Sequence, residues 1–299
     1  MILVIVALLV PEPATSEEIV HMGFSRSIIG EINENDTMAA LKLWGTQLIL
    51  GGDNEISVLP TIYNDIGEIE NAFNQKTLDL INLSAVDFFH LQHWISDEQF
   101  IFAVYGGTLS VEYLLIVREK SRFADIKDLN KAVLRFPKDA RSNLGRVWLD
   151  VELAKAGLPA VEQFFDKVVS VNKISEAVLP VFFGKTDACL VTRNGFNTMA
   201  ELNPQISQQL RVMAASKGYI PGFMGFRKDY QSKVKRIIIN NIKNWHQTSA
   251  GHQLLTMFQM DDLVLESIDV LAPTMELIKE HQHFLGTDST SPRSQAKPR

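Results

Sequence analysis

Gln75-Lys76-Thr77-Leu78-Asp79-Leu80-Ile81-Asn82-Leu83-Ser84 is echoed farther along the chain by Gly184-Lys185-Thr186-Asp187-Ala188-Cys189-Leu190-Val191-Thr192. In each copy a helix-like stretch runs into Lys-Thr, an Asp follows, and a short apolar run ends on a hydroxyl residue before another helix. One α/β plan is therefore used twice within 299 residues. Two similar α/β halves that face each other enclose a cleft, and the chemistry of such clefts gathers where strands end and helices begin. Functional residues are accordingly expected at the strand-to-helix turns.

Outward from the first copy, Ile19 to Phe24 reads as a strand followed by the polar loop Ser25-Arg26-Ser27. Asn35 or Asp36 is placed to cap a helix in which Met38, Leu41, Trp44 and Leu48 recur at helical spacing, stopped by Gly51-Gly52. Val58 to Ile62 is a strand, and Asp65 to Asn74 carries Ile66, Ile69 and Phe73 on one helical face. Between Phe100 and Val117 two β-rich stretches flank Tyr105-Gly106-Gly107, a bend where the chain crosses between halves. The second half repeats the grammar: strand Ala132 to Phe136, helix Ser142 to Ala156 closed by Gly157, strand Val168 to Val171, and helix Ser175 to Phe183 bent at Pro180. Strands Ala188 to Val191 and Arg211 to Ala214 follow. Tyr219-Ile220-Pro221-Gly222 is turn chemistry, and helices are expected over Gln231 to His246 and Gly251 to Met257.

Composition narrows the function classes. A hydrophobic share of 46% with 21% charged residues is ordinary globular usage. A net charge of −6 without a basic stripe argues against nucleic acid as a partner. The lone Cys189 excludes a disulfide framework, and its apolar surroundings make it a buried small hydrophobe. His90 and His93 stand one helical turn apart without a third ligand at a recognisable spacing, so no metal site is expected. There is no Gly-x-Ser-x-Gly elbow, no His-Glu-x-x-His, no Walker loop and no dinucleotide fingerprint, and neither catalytic residues nor a cofactor are expected. Ile2 to Val10 has the length of a signal-peptide core, with Ala14 and Ser16 placed for cleavage but no basic residue ahead of it. The alternative is a first buried strand over Leu3 to Leu9. Residues 287–299 read as a disordered Ser/Thr/Pro/Lys-rich tail.

Four turns combine hydroxyls with a helix start, where unpaired N–H groups and about half a positive charge favour an oxyanion. They are Ser25-Arg26-Ser27, Ser84-Ala85, Arg141-Ser142-Asn143 and Thr192-Arg193-Asn194. For each Ser or Thr the other role is an ordinary N-cap, and for each Arg a solvated or structural ion pair. Asp87 is placed either to accept from a ligand hydroxyl or to complement its own helix dipole. Asp79 and Asp187 read as turn or helix-capping acids. Tyr105 and Tyr219 sit at the crossings, walling the cleft or packing the hinge. Hinge motion is expected at Tyr105 to Ser110 and near Gly222 to Gly225.

The chain resembles the periplasmic substrate-binding proteins of phosphonate, phosphite and phosphate ABC transporters. The resemblance runs roughly from Glu18 to Leu285 and rests on Asn35-Asp36-Thr37, on Leu78-Asp79-Leu80 through Ser84-Ala85-Val86-Asp87-Phe88, on Asp125-Ile126-Lys127-Asp128-Leu129 and on Phe183-Gly184-Lys185-Thr186-Asp187-Ala188. It implies an α/β, two-lobed periplasmic-binding-protein fold of type II, each lobe a mixed sheet flanked by helices, with the ligand cleft between them. Lobe I is expected over 17–107 and 225–286, lobe II over 108–224, and 1–16 as signal peptide. It further implies an exported, periplasmic, monomeric protein that captures a small anionic ligand and delivers it to a membrane ABC permease. A sensing module reporting to a sensor kinase is the alternative. The expected ligand residues are Ser25, Arg26, Ser27, Ser84, Ala85, Asp87, Tyr105, Arg141, Ser142, Asn143, Thr192 and Arg193. Three departures weaken phosphonate specifically: Phe88 stands where many members have a tyrosine, Arg141-Ser142-Asn143 replaces a Ser/Thr-rich turn, and no histidine stands near Ile174 where some members carry one.

Overall fold

The computed structural model describes residues 18–29, 34–49 and 56–288. The expected signal peptide, the Gly51-Gly52 stop and residues 289–299 lie outside them.

The first half is built from β1 (Glu18–Ser25), α1 (Arg26–Ile29), α2 (Glu34–Ile49), β2 (Ile56–Tyr63), α3 (Ile66–Asn74), β3 (Leu80–Ser84), α4 (Ala85–Leu91) and β4 (Phe100–Val104). The chain then enters the second half: β5 (Tyr113–Arg118), β6 (Val133–Pro137), α5 (Asn143–Lys155), α6 (Val161–Phe164), β7 (Lys167–Val171), α7 (Ile174–Phe182), β8 (Ala188–Thr192), α8 (Arg193–Leu202), α9 (Gln205–Gln209) and β9 (Leu210–Ala215). It returns through β10 (Gly222–Phe226), α10 (Lys233–Ile242), α11 (Ser249–Met257), β11 (Asp262–Glu266) and α12 (Ala272–Asp288). Arg26 and Ser27, expected in a loop, open the short α1. Pro180 lies inside α7. Because α12 runs through Asp288, the first two residues of the expected tail are helical.

The strands form two mixed sheets, β11-β4-β10-β3-β1-β2 and β7-β6-β8-β5-β9. In the first, β1 is parallel to β2 and β3 while β10 runs antiparallel to β3. In the second, β6 is parallel to β7 and β8 while β5 runs antiparallel to β8. The same four-strand motif thus occurs in both. Strand β5, flanked by β8 and β9, is buried on both faces, with Leu114, Leu115, Ile116 and Val117 fully enclosed.

The repeated sequence phrase has a common physical basis, but its structural register differs by one from the Lys-Thr echo. Helices α3 and α7 each end on a left-handed residue, Lys76 (φ 57°) and Gly184 (φ 68°). The next residue reaches back five positions, Thr77 N to Ala72 O at 3.0 Å and Lys185 N to Pro180 O at 2.8 Å, the bond of a Schellman cap. Structurally, therefore, Lys76 matches Gly184 and Asp79 matches Asp187. Those two acids neither cap helices nor serve only in turns. Asp79 Oδ2 accepts from His21 N on β1 (3.0 Å), and Asp187 Oδ2 accepts from Val133 N on β6 (2.9 Å). Each carboxylate stitches the start of its strand to the neighbouring parallel strand. Asp79 also meets the buried Arg227 at 3.3 Å.

Residues 105–112 and 216–221 carry the chain between sheets. They are joined by Val111 N to Tyr219 O (2.7 Å) and Tyr219 N to Val111 O (3.0 Å), and Tyr219 is buried there. Tyr105 and Thr108 close a tight turn whose central residues Gly106 and Gly107 both have positive φ, a geometry that glycine adopts without strain. Gly222 to Gly225, near which a hinge is expected, lie within β10 along its ladder with β3. The return crossing precedes them. Helix α12 buries Leu277 and Ile278 against Trp148 and Leu149 of α5, within the core of the second sheet.

Candidate functional site

Strand ends of both sheets converge on the groove between the halves. Ser84 ends β3 and caps α4 by accepting from Asp87 N at 3.1 Å; Thr192 ends β8 and caps α8 by accepting from Gly195 N at 3.2 Å. Both hydroxyls thus serve the helix ends that follow them. Ala85 is fully buried. The Asp87 carboxylate, besides facing its own helix start, accepts from the Ser25 hydroxyl at 2.5 Å and from the Ser27 hydroxyl. Ser25, Ser27 and Asp87 are therefore brought together, with the hydroxyls spent on an internal carboxylate.

Across the groove, Asp139 organises the turn before α5. Its carboxylate accepts from Arg141 N (3.0 Å), Ser142 N (3.1 Å) and the Ser142 hydroxyl (2.9 Å). Ser142 consequently makes no side-chain cap to α5. The Tyr113 hydroxyl donates to Arg141 O at 2.6 Å and fixes the same turn from below. Burial, reinforced by nearby Asp139, holds that phenol protonated far above its ordinary range. Asn143 Nδ2 donates to Ser27 O at 2.7 Å, a direct bond between halves.

The three arginines separate cleanly. Arg26 donates to the Asn64 side chain through Nε (3.3 Å) and Nη2 (3.1 Å). Arg193 is paired with Glu112, whose backbone carbonyl also accepts from Arg193 N at 2.8 Å. Arg141 lies with its guanidinium 5.1 Å from the centre of the Tyr105 ring, and among the described residues no carboxylate pairs with it. Burial raises the Tyr105 phenol above its ordinary pKa while Arg141 pulls it back.

Arg141 and Tyr105 form the wall between two cavities. One, of about 230 Å³, is lined by Phe24, Ile28, Leu41, Asn82, Met224, Leu263 and neighbours. The other, of about 510 Å³, is lined by Val111, Ile174, Met199 and Leu202 together with Thr192, Arg193, Asn194 and others, and again by Arg141 and Tyr105. Both cavities are mostly apolar, and Arg141 is the cation they share.

Sequence reasoning missed Asp139, Glu112 and the apolar wall. Asp139 had a local signal, since an Asp three residues before Ser142 is an N-cap pattern. Glu112 had none, lying 81 positions from Arg193. Cys189 is fully buried and its thiol pKa is raised by that burial. Among the described residues no cluster of three or more His, Cys, Asp or Glu is arranged for a metal, and no helix is long and apolar enough to cross a membrane.

A family model described as the periplasmic substrate-binding protein of a phosphonate ABC transporter matches residues 48–269. A search of curated protein sequences finds no match. Among solved structures, a binding protein component of an ABC phosphonate transporter from Pseudomonas aeruginosa has a TM-score of 0.62 at 14% identity, over 93% of this chain and 91% of that one. PhnD1 from Prochlorococcus marinus, in complex with methylphosphonate, gives 0.60 at 15% identity over 89% and 99%. XAC2383 from Xanthomonas citri bound to ATP gives 0.63 at 13% over 92% and 100%. At such identities the likeness is one of fold.

Proposed function

The chain belongs to the phosphonate periplasmic substrate-binding proteins of ABC transporters, and from that premise we propose that it captures a small oxyanion of phosphonate type between its two lobes and delivers it to a membrane permease. Export directed by residues 1–16, and action as a monomer, are part of the proposal. The lobes would follow the two sheets, hinged at residues 105–112 and 216–221.

One observation supports this reading above the others: the two cavities converge on Arg141, while Arg26 and Arg193 are engaged by Asn64 and Glu112. A guanidinium seated on an aromatic face, with its backbone fixed by Asp139 and Tyr113, is a preorganised anion receptor. Residues Ser25, Ser27, Ser84 and Thr192 act in this scheme as the rigid frame, and Asn143 as a contact that closes the lobes.

Calorimetric titration with methylphosphonate and inorganic phosphate tests it. A charge-assisted bond contributes about 1.5–3 kcal/mol. Arg141→Ala should therefore weaken methylphosphonate binding by roughly one to two decades. Arg193→Ala should change it far less. Wild-type affinity in Arg141→Ala would remove the arginine from the site.

A further inference from the structure

The smaller cavity is an unusual partner for a bare oxyanion. Its floor is the face of the six-stranded sheet, with Phe24, Met224, Ile101 and Leu263 supplied by four different strands. Ile28 and Leu41 form the side walls. Among the described lining residues Arg141 is the sole charged group, and Asn82 and Tyr105 are the neutral side chains able to hydrogen-bond. A pocket shaped for inorganic phosphate offers polar partners around the whole ion, because every unpaired oxygen carries a desolvation cost. Here Arg141 and Tyr105 stand where this cavity meets the larger one, Asn82 is the one polar side chain of the floor, between Phe24 and Met224, and the remaining side chains are apolar.

We infer that the ligand is an organic phosphonate bearing a bulky apolar substituent, its headgroup at Arg141 and its substituent in the chamber above the sheet. This rests on the phosphonate reading of the site and names the substrate class within it. Charge complementarity fixes the orientation, since Arg141, shared with the larger cavity, is the sole charged group among the described lining residues of this one. The floor is a hydrogen-bonded sheet, so the chamber is preformed and its occupant bears little of the ordering cost. Tyr105 contributes a neutral ring, its phenol kept protonated by burial, and so presents no charge to repel the headgroup. Methylphosphonate, with a single methyl, leaves most of this surface facing water. Longer substituents exchange that water for contact with the chamber walls.

The experiment is a chain-length series titrated calorimetrically into the purified mature protein: inorganic phosphate, then methyl-, propyl-, pentyl- and heptylphosphonate, with 1-heptanol as a neutral control. Affinity should rise roughly fourfold per added methylene until the chamber is full. The heat-capacity change of binding should grow more negative in step. Methylphosphonate binding with no gain for longer members overturns the substituent inference and leaves the proposed function standing. Heptanol binding as tightly as heptylphosphonate overturns the role given to the headgroup in orienting the ligand. Failure of every phosphonate to bind overturns both readings.

Discussion

The side-chain amide of Asn143 donates to the main-chain carbonyl of Ser27 at 2.7 Å, so the first residue of α5 in one half grips the start of α1 in the other. This contact exists only when the halves are close. Asn143→Ala should leave each half folded and shift the ligand-free protein toward a more open state. Small-angle scattering would show a larger radius of gyration than wild type, and methylphosphonate affinity would fall by roughly fivefold, the worth of about 1 kcal/mol. An unchanged radius would mean that the bond does not hold the lobes.

The two strand-stitching acids provide a matched comparison. Asp187→Ala deletes one bond to Val133 N and should cost about 1–2 kcal/mol. Asp79→Ala deletes the equivalent bond and also strips a partner from Arg227, whose side chain is 9% exposed and keeps Leu78 O at 3.0 Å and Asp229 at 2.8 Å. Its cost should be larger, about 3 kcal/mol. Urea unfolding with unchanged m-values would measure both. Equal losses would show that the Arg227 pair adds nothing to the stitch.

Phe88 stands at the position where the resemblance leads one to expect a tyrosine. Here its ring packs edge-on against Phe100 and Phe223, 5.9 and 4.9 Å between centroids, and is nearly inaccessible. A hydroxyl added there enters hydrocarbon rather than the cleft. Phe88→Tyr should lower stability by about 1–3 kcal/mol and leave phosphonate affinity within twofold. A gain in affinity would place the ring in the binding site.

Acid behaviour can be read at Asp128, whose carboxylate accepts from Ala124 N (2.8 Å) and Asp125 N (3.0 Å). The first of these bonds, then the second, holds its pKa below the ordinary carboxylate value. A carboxyl depressed in the folded state stabilises fully above its unfolded pKa, and that contribution disappears as pH falls through the folded one. Asp128→Asn should therefore melt below wild type at neutral pH, with the gap closing in acid below the carboxylate range. A gap independent of pH would assign the effect to geometry alone.

The two-lobed plan was legible because apolar strands ending in hydroxyls announce themselves by composition. The register was harder. What repeats physically is a left-handed helix stop followed three residues later by an acid, and at the stop one copy uses Lys76 and the other Gly184. A reader matching Lys-Thr to Lys-Thr lands one residue away. Within the site, Arg141 was legible from its turn because its fixation is local, through Asp139. The partners of Ser25, Ser27 and Arg193 were not, since Asp87 and Glu112 lie 60 to 81 positions distant and reach them only through the fold. The apolar chamber was equally hidden, because its floor takes single residues from several strands, each indistinguishable in sequence from ordinary core.

Helix α12 sets the kind of motion available. It is fastened to α5 by Lys155–Glu280 at 3.0 Å and Asp150–His281 at 3.2 Å, and its Thr274 accepts from Ile220 N in the return crossing at 2.8 Å. The rear of the molecule is thereby pinned on both the crossing and the second half. If the halves hinge as proposed, opening would resemble a jaw rather than a sliding plate, with displacement growing in proportion to distance from the pinned edge. Spin labels placed at the mouth would separate widely between states, whereas a pair set beside α12 would hardly change. On the proposed function, a permease that distinguishes loaded from empty carriers would find its largest geometric signal at the lips, farthest from this rear brace.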